Sequence, residues 1–116
     1  MHELPITERI LAVALQHAQG RNVTRIVRIH LRIGELSDLE NEWIQHYFNY
    51  LSRGTLAENA ELAIRRVPIV VRCRACSQTY EVARSALGQT QCPGCAEPRA
   101  DLVSGREYLV ENMEVL

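Results

Sequence analysis

The chain has 116 residues, 47% of them hydrophobic, with 13 Lys and Arg against 14 Asp and Glu, a formal net charge of -1 and only four cysteines. That length holds one modest core plus a small lobe stapled by some other means, and the balanced charge argues against a protein whose main task is gripping phosphate backbones. The opening Met1-His2-Glu3-Leu4-Pro5 has no basic and apolar leader pattern, and no apolar run approaches a membrane span; the expectation is a cytoplasmic protein in a reducing compartment.

In chain order, a first helix is expected from Pro5, which is suited to a first turn, to a stop at Gly20. Ile6, Ile10, Val13 and His17 share its apolar face, with Leu11, Leu15 and Ala18 beside them. A strand follows from about Val23 to Ile33: Val27, Ile29, Leu31 and Ile33 alternate with Arg28, His30 and Arg32, so one face is apolar and the other basic. Ser37 and Glu40 read as an S-x-x-E capping box opening a second helix, whose buried side is expected to carry Leu39, Trp43, Tyr47, Tyr50 and Leu51, with Gly54 closing it. Leu62 to Val67 is a short strand, Pro68 breaks its ladder, and Ile69-Val70-Val71 leads into the cysteines. A last strand, rich in Tyr, Leu and Val, runs from Arg106 to Val115.

The cysteines form two CxxC pairs, Cys73-Arg74-Ala75-Cys76 and Cys92-Pro93-Gly94-Cys95, with fifteen residues between them. A CxxC turn aims two sulfurs at one point, and a second such knuckle completes a tetrahedron suited to Zn²⁺. Four thiolates fill the coordination shell and leave no open position for a substrate, so a structural zinc site on Cys73, Cys76, Cys92 and Cys95 is expected. Two disulfides or a redox dithiol fit less well, because nothing suggests secretion and no thioredoxin-like βαβ pattern surrounds either pair. The resulting fold class is α+β, with two helices on a three-stranded sheet formed by residues 1–70 and 106–116 and an inserted zinc-ribbon-like lobe over 71–105.

The N-terminus carries a second pattern. The Met1 amine, the deprotonatable amide of His2 and the His2 imidazole can form adjacent five- and six-membered chelate rings, a planar nitrogen set suited to Ni(II) or Cu(II). Glu3 supplies a further ligand or an outer hydrogen bond to the imidazole. His17, His30 and His46 lack partners at metal spacing and are assigned no ligand role. No nucleophile triad, acid/base pair or Gly-rich phosphate loop is present, so the chain does not read as an enzyme.

Met1-His2-Glu3, Ile33-Gly34-Glu35-Leu36, Arg53-Gly54-Thr55-Leu56-Ala57, both knuckles and Gly105-Arg106-Glu107, taken in order, resemble the HypA/HybF family of nickel-incorporation proteins in [NiFe]-hydrogenase maturation. The resemblance runs the length of the chain. It implies a nickel metallochaperone with His2 as nickel ligand, the Met1 amine as second ligand and Glu3 shaping the site, together with zinc on the four cysteines. It also implies a HypB-type GTPase and the hydrogenase large subunit as partners, with urease maturation proteins served in some organisms; a homodimer is left open. Two stretches depart from the family pattern: Ala96-Glu97 stands where Gly-Ser is common, and Trp43 to Phe48 where a Phe-Ala-Phe-like stretch is usual. The competing readings are a zinc-ribbon interaction module, for nucleic acid through Arg72, Arg74, Arg84, Arg99 and Arg106 or for protein, and a dithiol redox enzyme.

Overall fold

The computed structural model describes residues 3–116. The chain runs through helix α1 (Glu3–Ala18), strand β1 (Ile26–Gly34), helix α2 (Asn41–Leu51), strands β2 (Glu61–Val67), β3 (Ile69–Cys73) and β4 (Thr79–Val82), a 3-10 turn at Arg84–Ala86, and strands β5 (Ala100–Ser104) and β6 (Tyr108–Val115). The strands form two three-stranded sheets, in the orders β2-β1-β6 and β4-β3-β5. This is the α+β class, with the expected two helices and three-stranded sheet, plus a second sheet around the cysteines. No helix among the described residues is long and apolar enough to cross a membrane.

The chain divides into two compact units, residues 1–32, 38–65 and 108–116 in the first and residues 33–37 and 66–107 in the second. In the first sheet, Ile26 N–H donates to Leu56 and, further along, Glu35 N–H to Val67; the partner number rises with the β1 number, so β1 and β2 run parallel with α2 as their crossover. Partner numbers fall along β6, from Leu116 opposite Thr24 and Arg25 to Glu107 opposite Gly34, so that pairing is antiparallel. The core of the first unit takes Ile26, Ile29 and Leu31 from the central strand, Ile10, Ala14 and Ala18 from α1, and Ile44 and Phe48 from α2.

Three local expectations are corrected here. The buried stripe of α1 is Glu3, Thr7, Ile10, Ala14 and Ala18, rotated from the Ile6–Val13–His17 face, and His17 is exposed. Small residues on the inner side let α1 lie close to α2, while the larger aliphatic side chains sit at the rim. On α2 the inward pair is Ile44 and Phe48, whereas Trp43 and Tyr50 are 44% and 64% exposed. The Ser37–Glu40 capping box does not form: the helix begins at Asn41 with Glu40 as its N-cap, which makes no side-chain cap bond. Ser37 instead belongs to a turn, its N–H bonded to the Gly34 carbonyl and its own carbonyl accepting from Arg66 and Arg84.

In the second unit β3 is central, paired antiparallel with β4 (Val71 opposite Tyr80) and with β5 (Cys73 opposite Ala100). Residues 33–37 join it through Glu35 N–H to Val67 and Leu36 N–H to Gly105, both 2.8 Å. Gly34 is required at this crossing, because a Cβ there would overlap the Gly105 carbonyl and lie 2.6 Å from Arg106 N.

Candidate metal centres

The two CxxC turns are built alike. In the first, Cys73 N–H donates to Gln78 O (2.8 Å) and Ser77 N–H to Cys73 O (3.0 Å); in the second, Cys92 N–H donates to Glu97 O (2.9 Å) and Ala96 N–H to Cys92 O (2.8 Å). Closing each loop puts the residue after the second cysteine in the left-handed region, Ser77 at φ 64° and Ala96 at φ 62°. Amides inside the loops then point at sulfur. Ala75 N–H and Cys76 N–H lie 3.3 and 3.4 Å from Cys73 Sγ, and Gly94 N–H lies 3.4 Å from Cys92 Sγ. Sequence reasoning singled out the cysteines that the fold brings together but not these left-handed residues, for which the only sequence signal was their place directly after the second cysteine of each pair.

All four sulfurs lie within 4.8 Å of one another. The close pairs run across the knuckles, Cys73 to Cys95 at 3.5 Å and Cys76 to Cys92 at 3.6 Å. These separations are far beyond a disulfide bond, and all four cysteines are free. They are close to the edge of about 3.8 Å expected of a tetrahedron with metal–sulfur bonds of about 2.3 Å. Cys73 and Cys92 are buried and Cys76 and Cys95 exposed, so the cluster sits half-open at the surface of its unit.

The thiols are spread apart in acidity. The Cys76 N–H, acting against burial and helped by the Ala75 N–H, draws Cys73 down to about 7. At Cys95 the Glu97 N–H pulls the other way, but the proton shared with Cys73, burial and the remaining thiols together push it up to about 12. Four sulfurs this close cannot all ionise without a cation among them. A divalent ion relieves that repulsion and displaces the protons, so the donor set fits a thiolate-bound metal such as Zn²⁺.

At the other predicted centre, Met1 and His2 lie outside the described residues. Glu3 is 4% exposed, and its Oε2 accepts the backbone N–H of Glu40 at 3.0 Å. Its carboxylate thus stands at the N-terminus of α2, where the unpaired amides and the helix dipole favour a negative charge. No local pattern announces this contact, because the partners are 37 positions apart.

The other histidines are accounted for differently. His17 is solvent-exposed. His30 meets Glu114 at 2.7 Å on the open face of the sheet, where Arg28 joins the same carboxylate at 2.9 Å; these contacts, His30 first, hold Glu114 below the ordinary carboxylate range. His46 packs its ring against Trp43 and Tyr47. Of the five arginines in the basic-patch reading, Arg74 pairs with Asp101 and Arg99 with Glu97, which removes two of its charges.

The family model described as "Hydrogenase/urease nickel incorporation, metallochaperone, hypA" matches residues 1–115. A protein from Dehalococcoides mccartyi named hydrogenase maturation factor HypA is 36% identical over 99% of this chain and 94% of its own length. One of the same name from Geotalea daltonii is 35% identical over the full length of both chains. Among solved structures, that of the Ni metallochaperone HypA from Helicobacter pylori superposes with a TM-score of 0.69 at 23% identity, covering 100% of this chain and 98% of the other. A second, a solution structure of HypA protein, gives 0.75 at 24%, covering 100% and 97%.

Proposed function

This chain belongs to the HypA family of hydrogenase/urease nickel-incorporation metallochaperones, and from that premise we propose that it carries Ni(II) on its N-terminus while a structural zinc ion holds its second unit. The observation that carries the reading is the family match over residues 1–115, joined to a four-cysteine cluster of tetrahedral dimensions. The proposed nickel ligands are His2 and the Met1 amine, with Glu3 beside them. Cys73, Cys76, Cys92 and Cys95 are the proposed zinc ligands. The corresponding division of labour is a nickel-carrying part over 1–70 and 106–116 and a zinc-held part over 71–105. Such a protein is a carrier rather than a catalyst. It works in the cytoplasm, exchanges nickel under the control of a HypB-type GTPase and hands it to the hydrogenase large subunit, or to urease maturation proteins in organisms that make urease.

The chemistry separates the two metals. Four thiolates in a closed shell suit Zn²⁺ and offer no exchange position, whereas an amine–amide–imidazole set suits Ni(II). The role of zinc is to neutralise the thiolates and tie the two knuckles together. The lobe around the cysteines buries few large apolar side chains, so metal binding should supply on the order of 10 kcal/mol toward its folding. Nickel binding requires the amine, amide and imidazole to lose protons, so its affinity should fall as the pH drops through about 6.5.

The test is a titration with both metals followed. His2→Ala, or an uncleaved N-terminal tag that acylates the amine, should abolish tight Ni(II) binding and leave one zinc per chain. Cys95→Ser should lose the zinc and the amide protection of the second unit while the first unit stays folded. Undiminished nickel affinity in the tagged form would remove the amine from the site, and unchanged protection after zinc is stripped would remove the structural role.

A further inference from the structure

The two knuckles are alike in backbone but differ in what they offer their buried sulfur. Cys73 and Cys92 are each 2% exposed, so their sulfurs have to find donors within the chain. Cys73 Sγ has two, the N–H groups of Ala75 at 3.3 Å and Cys76 at 3.4 Å. In the second knuckle, among the described residues, Cys92 Sγ has one backbone donor, Gly94 N–H at 3.4 Å. The second place is taken by a side chain from the other knuckle: Gln78 brings its amide to Cys92 Sγ, with Oε1 at 3.7 Å. The backbone of Gln78 is fixed by the first knuckle, where it follows the left-handed Ser77 and its carbonyl accepts Cys73 N–H at 2.8 Å. Space for the amide exists because residue 94 is glycine: a Cβ there would overlap Gln78 Oε1 and would meet Cys92 Sγ only at an ordinary 3.8 Å. Gly94 does not lie in the left-handed region, so that overlap, and not backbone conformation, is what an alanine would encounter.

With Cys92 a thiol, its S–H donates to Oε1. A metal-bound thiolate carries no proton and can only accept. A primary amide serves either partner, since a half-turn about its last side-chain bond exchanges Oε1 for Nε2–H at the same place. Gln78 is an exposed residue, so the oxygen that turns away is left to water. We propose that Gln78 is a positioning residue for the metal centre: in the space left by Gly94, its Nε2–H donates to the Cys92 thiolate, bracing the second knuckle from the first and slowing metal loss. This rests on the zinc reading above. The side chain gives the buried sulfur its second donor without adding a charge, and a hydrogen bond to an ionised acceptor is the stronger kind. Glutamate has the same shape but only acceptor oxygens and a negative charge, so at this place it would oppose the thiolate.

The experiment follows metal release from the full chain. Metal content is measured first, because a wild-type chain that holds no zinc on its cysteines would overturn the zinc reading and this proposal with it. With zinc held, Gln78→Ala should release it to a chelator about tenfold faster, and Gln78→Glu faster still. Neither change touches the backbone bonds of the first knuckle, which any residue at 78 can make. Gly94→Ala should match Gln78→Ala, and the double substitution should be no worse than either alone, because both remove one contact. In protein loaded with NMR-active cadmium, the Gln78 Nε2–H proton should show scalar coupling to the metal through the sulfur, a signal that packing alone does not generate. Release from Gln78→Ala at the wild-type rate, with zinc still bound at one per chain, overturns the proposal and leaves the zinc reading standing. Faster release without the cadmium coupling overturns it too, since the side chain would then act by packing. Fully additive losses in the double substitution overturn the placement of the amide over Gly94.

Discussion

Replacing Glu3 by alanine should destabilise the first unit by about 2 to 4 kcal/mol. The charge-assisted hydrogen bond from Glu40 N–H to the buried carboxylate contributes roughly 1.5 to 3 kcal/mol, and removing the Cγ methylene from a site only 4% exposed loses about 0.8 kcal/mol more. Glu3→Gln keeps the acceptor oxygen and the volume and gives up only the charge at the helix end, so about 1 kcal/mol or less should be lost. Because the chain divides into two compact units, a single melting midpoint is a poor readout of the first alone. Native-state hydrogen exchange at the α2 amides of Ile44 and Phe48 reads the first unit alone, with nickel affinity measured on the same samples. If alanine and glutamine behave alike, or alanine costs under about 1 kcal/mol, the carboxylate does not support α2 as described. If glutamine leaves exchange untouched but abolishes nickel binding, Glu3 acts as a metal ligand and its capping contact is incidental.

Phe48→Ala should cost about 3 to 5 kcal/mol while Trp43→Ala costs about 1 kcal/mol or less, the reverse of what ring size suggests; urea denaturation distinguishes them. Ala96→Gly should stabilise the second knuckle by about 1 kcal/mol, read as slower zinc loss to a chelator, because glycine holds φ 62° without the Cβ penalty. The Glu114 carboxyl should titrate below the ordinary value of 4.5, as followed by its side-chain carbon shift. Because its folded pKa is depressed, its contribution to stability is present above the unfolded value and is lost as pH falls through the folded one, and Glu114→Gln should remove that part of the profile.

The cysteine cluster was legible because metal chemistry leaves few choices: two CxxC turns at this spacing converge, and the 3.5 and 3.6 Å sulfur pairs follow. The central strand was legible because Ile29, Leu31 and Ile33 alternate with Arg28, His30 and Arg32 in a period no helix shares. The faces of the helices were harder. On α2, hydrophobicity pointed to Trp43, Tyr47 and Tyr50, but Ile44 and Phe48 are the pair facing the core, and the aromatics gain more by stacking at the surface, as Trp43 does on Tyr47. On α1 Ile10 is inward as its periodicity indicated, but Thr7 and Ala14 are small, and periodicity weighted by side-chain size missed them. Capping failed for a related reason. Ser37 and Glu40 satisfy a local motif, yet the carboxylate that accepts the Glu40 N–H at the start of α2 belongs to Glu3, far away in sequence.

The path of residues 33–37 has a consequence for anyone wishing to transplant the cysteine-bearing unit. These five residues belong with it although 28 others separate them from the rest, and they hold it through the Val67 and Gly105 carbonyls and the Arg66 guanidinium. The unit is therefore not a cassette. A peptide spanning 66–107 would arrive without one of its own pieces, and a chimera exchanging only 71–105 between relatives would ask the host's 33–37 to dock on a foreign surface. Grafts should travel as two segments, and Gly34 has to travel with them, since the backbone crossing at Gly105 leaves no room for a side chain.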